Sequence, residues 1–339
     1  MNILKLIIQI PCLNEESTLP LTIRDIPRKI AGISKVEILI IDDGSTDKTI
    51  EVAKSLGVDH IVRFSKNKGL AEAFKAGIDA SLKLGADIIV NTDADNQYKG
   101  ADIPKLIAPI MSGHYEMIIG DRKTDNIPHF SKVKKFFQRF GSSIVRKLSQ
   151  TDVPDTTSGF RAYSRDAALR LNVVSEFTYT LETIIQAGHK KLAVGHVEIG
   201  TNEKLRDSRL FKSITGYMRR SAKTIIRIYT MYRPMKVFII SGFISVNIGI
   251  LIGLRFLWFY LSGSGDGHIQ SLILAAVLMI VGFQLGTLGL VADLISNNRK
   301  LVEETLYRVK KIELNKNDIG DDINEYNILS IKENKKQIS

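Results

Sequence analysis

Two short acidic stretches carry the residues best suited to chemistry. One is "NTDADNQ", residues 91–97, where Asp93 and Asp95 stand one residue apart among Asn91, Asn96 and Gln97. The other is "DDGS", residues 42–45, with Asp42 and Asp43 adjacent. Each follows an apolar run, "ADIIV" or "VEILII", that reads as a buried strand. Carboxylates repel one another and resist burial, so a pair of them past such a strand asks for a positive charge between them. The ligands on offer are hard oxygens with no His or Cys among them, a set that suits Mg2+ or Mn2+. Mg2+ typically takes one or two carboxylates plus substrate phosphates, so the pattern points to a metal that holds a diphosphate. A lone Asp at a turn serves as readily as a cap. Two acidic clusters at two strand ends favour the metal.

The elements that must position these acids follow from the pattern. "KLIIQI" (5–10), "SKVEILIIDDGS" (34–45), "HIVRFS" (60–65) and "ADIIVN" (86–91) read as strands. "DKTIEVAKSLG" (47–57), with Asp47 as N-cap and Gly57 as C-cap, and "GLAEAFKAGIDASLKLG" (69–85) read as helices. Near-continuous apolar strands alternating with helices imply an α/β domain with a mostly parallel sheet covered by helices. In such sheets ligands bind beyond the carboxyl ends of the strands, where "PCLNEE", "DDGSTD" and "TDADNQ" all fall. No GxxxxGK[ST] is present, and no GxGxxG follows the first strand. A nucleotide would therefore be held by acids and a metal, not by a Gly-rich cradle.

The chain has 339 residues, enough for one such domain and something more, and its net charge of +11 suggests an anionic partner. The single Cys, Cys12, excludes an intrachain disulfide and reads as a small buried side chain. The six His are scattered, without HxxxH or HExxH spacing. The apolar N-terminus lacks a signal-peptide cleavage site and reads as a first strand.

Residues 202–234 change character. Leu210, Phe211, Ile214, Tyr217, Met218, Ile225 and Ile228 recur at helical spacing, with Arg209, Lys212, Arg219, Arg220, Lys223 and Arg227 filling much of the rest, as in a basic amphipathic helix lying on an anionic membrane. Residues 235–261 and 269–295 are each long and apolar enough to span a bilayer, which takes roughly 20 residues. The short "SGSGDGH" between them makes a helical hairpin within 235–298. Lys and Arg crowd both outer flanks and are absent from the connecting loop, so the positive-inside rule places both termini and the α/β domain in the cytoplasm. Arg255, near the far end of the first span, either snorkels to the outer interface or marks a functional partner, and its position favours snorkelling. Residues 299–339 read as a basic helix and then, from 313, a polar tail without fixed structure. The basic residues gather beside the spans, not along an aromatic groove, so lipid is a better anionic partner than nucleic acid.

"PCLNEE", "IIDDGSTDKT", "NTDADNQ" and "DTTSGFRAYSR", in this order and spacing, resemble family 2 glycosyltransferases of the GT-A fold. More narrowly, they resemble the polyprenyl-phosphate glycosyltransferases typified by dolichol-phosphate mannose synthase. The likeness covers about residues 5–235, and the hairpin is similar to the membrane anchor of bacterial members. It implies a GT-A nucleotide-sugar-binding domain over 1–201, followed by interfacial helices and the hairpin. It also implies roles. Pro11, Asn14, Glu15, Asp42 and Asp43 would line the nucleoside pocket. Asp93 would lie between ribose and diphosphate and share the metal with Asp95 and Gln97. Arg122, Ser158, Arg161, Arg206 and Arg209 would meet the acceptor phosphate. Asp95, Asp155 and Arg161 would be catalytic, with Asp155 a candidate base. Asp121 departs from the Ser that the family usually places before this Arg, and Glu182 matches an acidic position only loosely.

The implied reaction takes a GDP- or UDP-linked sugar and a polyprenyl (dolichyl or undecaprenyl) phosphate, with Mg2+ or Mn2+ as cofactor. The phosphate attacks the anomeric carbon from the face opposite the departing diphosphate and inverts it. Its second pKa is about 6, so it is mostly dianionic at neutral pH and needs positioning by Arg more than a base. The hairpin also offers a surface for a homo-oligomer. A processive polysaccharide synthase would carry QxxRW, yet the only Trp, Trp258, lies in a span. A non-catalytic nucleotide-sugar-binding protein is the reading from another class. A family 2 transferase with a saccharide or other lipid acceptor is a third.

Overall fold

The computed structural model describes residues 4–123, 132–175, 178–203, 214–263, 268–317 and 328–330. Contacts divide the chain into two compact units, one of the residues up to Ile225 together with those from Tyr307 on, the other Ile226–Leu306.

The first unit is built on an eight-stranded sheet. Its strands are β1 (Leu4–Cys12), β2 (Ile33–Asp42), β3 (His60–Arg63), β4 (Ile88–Asn91), β5 (Met117–Asp121), β6 (Arg161–Ser164), β7 (Val194–Glu198) and β8 (Ile328–Ser330). Their order across the sheet is β7-β5-β6-β4-β1-β2-β3-β8. β1 pairs in parallel with β2 and β4, β2 with β3, and β5 with β7. Leu6, Ile7, Ile8 and Ile10 of β1 and Ile38–Ile41 of β2 are fully buried, as central parallel strands must be. The helices of this unit are α1 (Leu19–Asp25), α2 (Thr49–Ser55), α3 (Leu70–Lys83), α4 (Ile103–Met111), α5 (Lys132–Ser149), α6 (Arg165–Arg170) and α7 (Thr180–His189). The caps of α2 fall at Lys48 and Leu56, each one residue inside the expected Asp47 and Gly57; Asp47 still accepts from Thr49 N at 3.0 Å, and Gly57 follows the helix at φ +68°.

β6 runs antiparallel to both β4 and β5, with Asn91 opposite Arg161 and Ile119 opposite Arg161. It therefore begins where β4 ends, and brings the loop at 155–160 to the acidic edge of the sheet.

The tail differs from expectation. α10 (Ile269–Asn317) continues past Glu313, and β8 adds to the free edge of β3 in antiparallel register, with Ile61 opposite Leu329. Its last turns are held to the sheet unit by Tyr307, which donates to Asp166 at 2.6 Å beneath the Arg170 guanidinium, 4.6 Å from its ring. An open strand edge and an aromatic anchor supply partners that composition alone does not show.

In the second unit, α9 (Pro234–Leu261) packs closely on α10, and both are long and apolar enough to cross a membrane. A Cβ on Gly242 would meet Gly282 O at 2.6 Å, and one on Gly249 would meet Ala275 O at 2.9 Å, so small residues set the helix separation. At its base Arg299 donates to Glu303 at 2.8 Å and lies over the Tyr232 ring. In the helix α8 (Ile214–Tyr232), Arg219, Arg220, Lys223 and Arg227 are exposed and Thr224 and Ile228 are buried. Leu210 and Phe211 lie outside the described residues.

Candidate active site

The carboxyl ends of β1, β2, β4 and β5 and the start of β6 share one edge of the sheet. The first cluster there joins the turns after β1 and β2. Asn14, at φ +56°, accepts from Thr46 N at 2.8 Å through Oδ1, while its own N–H donates to Ser45 Oγ at 2.9 Å. Glu15 accepts from Thr18 Oγ1 at 2.6 Å and its backbone N–H donates to Thr49 Oγ1. Asp42, fully buried, accepts from Ser45 N at 3.1 Å and lies 3.2 Å from Arg63 Nε. Asp43 accepts from the N–H groups of Lys68 and Gly69 at 2.6 and 2.9 Å, which ties this turn to the start of α3. Burial raises the Asp43 carboxyl above the usual range. Pro11 precedes this cluster at the end of β1. Gly44 is required: at φ +76° it passes so close to Lys66 that a Cβ would sit 2.7 Å from its carbonyl carbon.

The second cluster follows β4. Gln97 donates to Asp95 twice, from its backbone at 3.2 Å and its side-chain amide at 2.9 Å. Gln97 was expected to present an oxygen to the metal; here its amide turns toward Asp95 and orients that carboxylate. Burial first, and then the Asp95 charge, push the Asp93 carboxyl up to about 7, against the opposing pull of Arg122 and Arg161. Among the described residues no three His, Cys, Asp or Glu side chains converge into a ready-made metal cage. Two crowded carboxylates at the mouth of a sheet still fit a hard cation that completes its shell with water and phosphate.

The third cluster is the loop before β6. Arg122, after β5, donates to Asp155 from Nε at 2.7 Å and Nη2 at 3.0 Å, and from Nη2 to Thr157 Oγ1 at 2.9 Å. Burial alone would raise the Asp155 carboxyl, but Arg122 and Thr157 hold it below the usual range. A carboxylate so paired is a weak base, and the expectation of Asp155 as a base is corrected: it sets the direction of Arg122. Arg161 calls for a second correction. It is fully buried and donates to Ser158 O, Thr156 O, Thr180 O and Thr183 Oγ1 at 2.7–2.9 Å. Its donors brace the loop from within and cannot also grip an acceptor phosphate. Ser158 is fully buried, and its Oγ has no hydrogen-bond partner among the described residues. Arg206 and Arg209 lie outside the described residues. Glu182 is buried, accepting from the N–H groups of Val174 and Ser175.

Sequence reasoning named Asn91 but missed the contacts that join these clusters, and it missed Tyr98 and Asn202. Asn91 accepts from Gln9 Nε2 at 2.9 Å and donates to Gly159 O and Tyr179 Oη, both at 2.8 Å. Tyr98 accepts from Gly159 N at 2.8 Å and stacks on Phe160. Asn202 donates to Gln97 O from its backbone and to Asn96 O from its side chain. A buried polar Asn closing an otherwise apolar strand was the one available signal.

Comparison with known proteins identifies the family and the fold. The model of "Glycosyl transferase family 2" matches residues 7–171. The UDP-N-acetylglucosamine–dolichyl-phosphate N-acetylglucosaminyltransferase of Methanococcus voltae is 31% identical over 219 residues, 57% of this chain and 83% of that protein. The dolichol-phosphate mannosyltransferase of Pyrococcus furiosus is 28% identical over 76% of this chain and 73% of its own. Among solved structures, glucosyl-3-phosphoglycerate synthase from Mycobacterium tuberculosis, in complex with Mn2+, UDP-glucose and phosphoglyceric acid, shares the fold with a TM-score of 0.54. It is 20% identical, over 67% of this chain and 78% of that one. The fold is thus a GT-A-like α/β fold, and the chain belongs to glycosyltransferase family 2. It is a glycosyltransferase.

Proposed function

We propose that this protein is a membrane-anchored, inverting glycosyltransferase that moves a sugar from a nucleoside-diphosphate sugar to a polyprenyl phosphate at the cytoplasmic face. The observation that carries the reading is one sheet edge holding two acidic turns beside an aimed, half-buried arginine, in a chain that continues into two apolar helices. The names of the relatives above support the lipid phosphate as acceptor.

The residues divide the work. The turn of Asn14, Glu15, Asp42 and Asp43 receives base and ribose. Asp93 and Asp95 would hold Mg2+ or Mn2+, which when bound offsets the charge of the leaving diphosphate. Arg122, held by Asp155, presents a directed guanidinium to the acceptor phosphate. The phosphate oxygen bonds to the anomeric carbon as that carbon's bond to the diphosphate breaks, and the nucleoside diphosphate departs. Arg161 acts as a positioning residue beneath the loop. The Lys and Arg flanking the spans, with none in the loop between them, support the cytoplasmic orientation.

Transfer from a panel of radiolabelled GDP- and UDP-sugars to polyprenyl phosphate in detergent, with Mg2+ or Mn2+ and then with chelator, tests this. A metal-dependent product in the lipid phase is expected with one donor. Donor binding without lipid product would point to another acceptor, and neither binding nor transfer would favour a non-catalytic protein.

A further inference from the structure

Three hydroxyls of the hairpin are satisfied within it. Ser241 donates to Val237 O, Ser245 to Leu278 O and Thr287 to Gln284 O, each at 2.8 Å. A hydroxyl has one hydrogen to give. A carboxamide has two, and an acceptor besides. Asn247, near the midpoint of the 28-residue α9, donates once, to Phe243 O at 2.7 Å. No partner is seen among the described residues for its other N–H or its Oδ1. The side chain is exposed, on a stripe with Ile240, Phe243, Leu251 and Leu254 that are 56–69% exposed. This stripe faces away from the glycine-lined contact with α10.

We propose that a second copy of this chain packs on this face of α9, with Asn247 of each copy hydrogen-bonded to the other. The inference rests on α9 and α10 spanning the membrane. Lipid tails offer an exposed amide nothing, whereas a carboxamide is complementary to itself. Copies related by an axis along the membrane normal carry like residues at equal depth, so Asn247 meets Asn247 without further register. The other amides of the two spans do not match it in depth: Gln270 lies in the first turn of α10, and Gln284 lies level with Gly242, which packs against residues 282–286. A different protein would need its own polar group at the depth of Asn247.

The test uses the full chain, labelled for energy transfer, in phosphatidylcholine vesicles across a range of lipid-to-protein ratios. Self-association is expected for the natural protein and for Asn247→Gln. Asn247→Leu is expected to need about tenfold more protein per lipid for half association. Equal association of Asn247→Leu and the natural protein overturns the inference while leaving the membrane reading intact. Loss on Gln284→Leu instead moves the contact to α10 and overturns it as well. Release of the natural protein by alkaline carbonate refutes the spanning reading and the inference with it.

Discussion

Arg122 and Asp155 form a two-pronged ion pair at 2.7 and 3.0 Å that fixes the guanidinium at the acidic edge of the sheet. The Asp155 side chain is 1% exposed, so nothing from solvent replaces it. The pair turns a flexible arginine into a directed one. Asp155→Asn is therefore expected to raise the KM for the lipid phosphate about tenfold and to leave the donor KM nearly unchanged. Arg122→Ala should show the same split more strongly. Steady-state kinetics with each substrate varied in turn decides it, and equal effects on both constants would remove Arg122 from the acceptor side.

Asp95→Asn keeps the shape and one of the two bonds from Gln97 but removes a charge. Metal-dependent transfer is expected to fall at least a hundredfold, with the melting temperature in chelator close to that of the natural protein. Stabilisation by Mn2+ plus UDP should vanish in the same melting experiment. Retained turnover with unchanged metal dependence would refute the assignment.

Gly159 lies against Asp93. A Cβ there would sit 3.0 Å from Tyr179 Oη and 3.1 Å from both Asp93 carboxylate oxygens. Gly159→Ala should push Asp93 out of place and lower kcat about tenfold, for a stability change of about 1 kcal/mol. Comparing kcat with urea unfolding separates the two, and a kcat equal to that of the natural protein would show that this contact does not set the geometry.

Far from the site, buried Glu37 accepts from His60 Nε2 at 2.9 Å and lies 2.5 Å from Lys35 Nζ and 2.8 Å from Lys5 Nζ. Burial alone would raise its carboxyl, but bonds from His60, Lys35 and Lys5 together hold it well below the usual carboxylate range. A carboxyl depressed in the folded state contributes its stability above its unfolded pKa, about 4.3, and loses it as pH falls toward the folded value. Unfolding free energy should thus drop steadily below about pH 4.5. Glu37→Gln should flatten that drop and cost about 3 kcal/mol at pH 7. Urea titrations from pH 7 to 3 check both, and an unchanged acid slope in the variant would locate the sensitivity elsewhere.

Much of this protein is written locally. The apolar runs of β1, β2 and β4 exceed what any exposed segment would carry, so strands, parallel class and acidic ends can be read from neighbouring residues alone. The same holds for the two long apolar helices, because length and apolar composition are properties of the local sequence. What the tertiary structure decided concerns partners far apart in the chain. Asn91 meets Gly159, 68 residues on, and Arg122 meets Asp155, 33 residues on. Whether an arginine faces a ligand or braces a loop depends on which carbonyls fold around it. Arg161 reads like Arg122 in the sequence, yet burial on an antiparallel strand gives its donors to Thr156, Ser158 and Thr180. The β8 edge strand likewise exists only because β3 leaves backbone donors and acceptors open beside it. Residue type and spacing determine which chemistry is available. Long-range hydrogen bonding in a low-dielectric interior decides which of those groups is left to perform it.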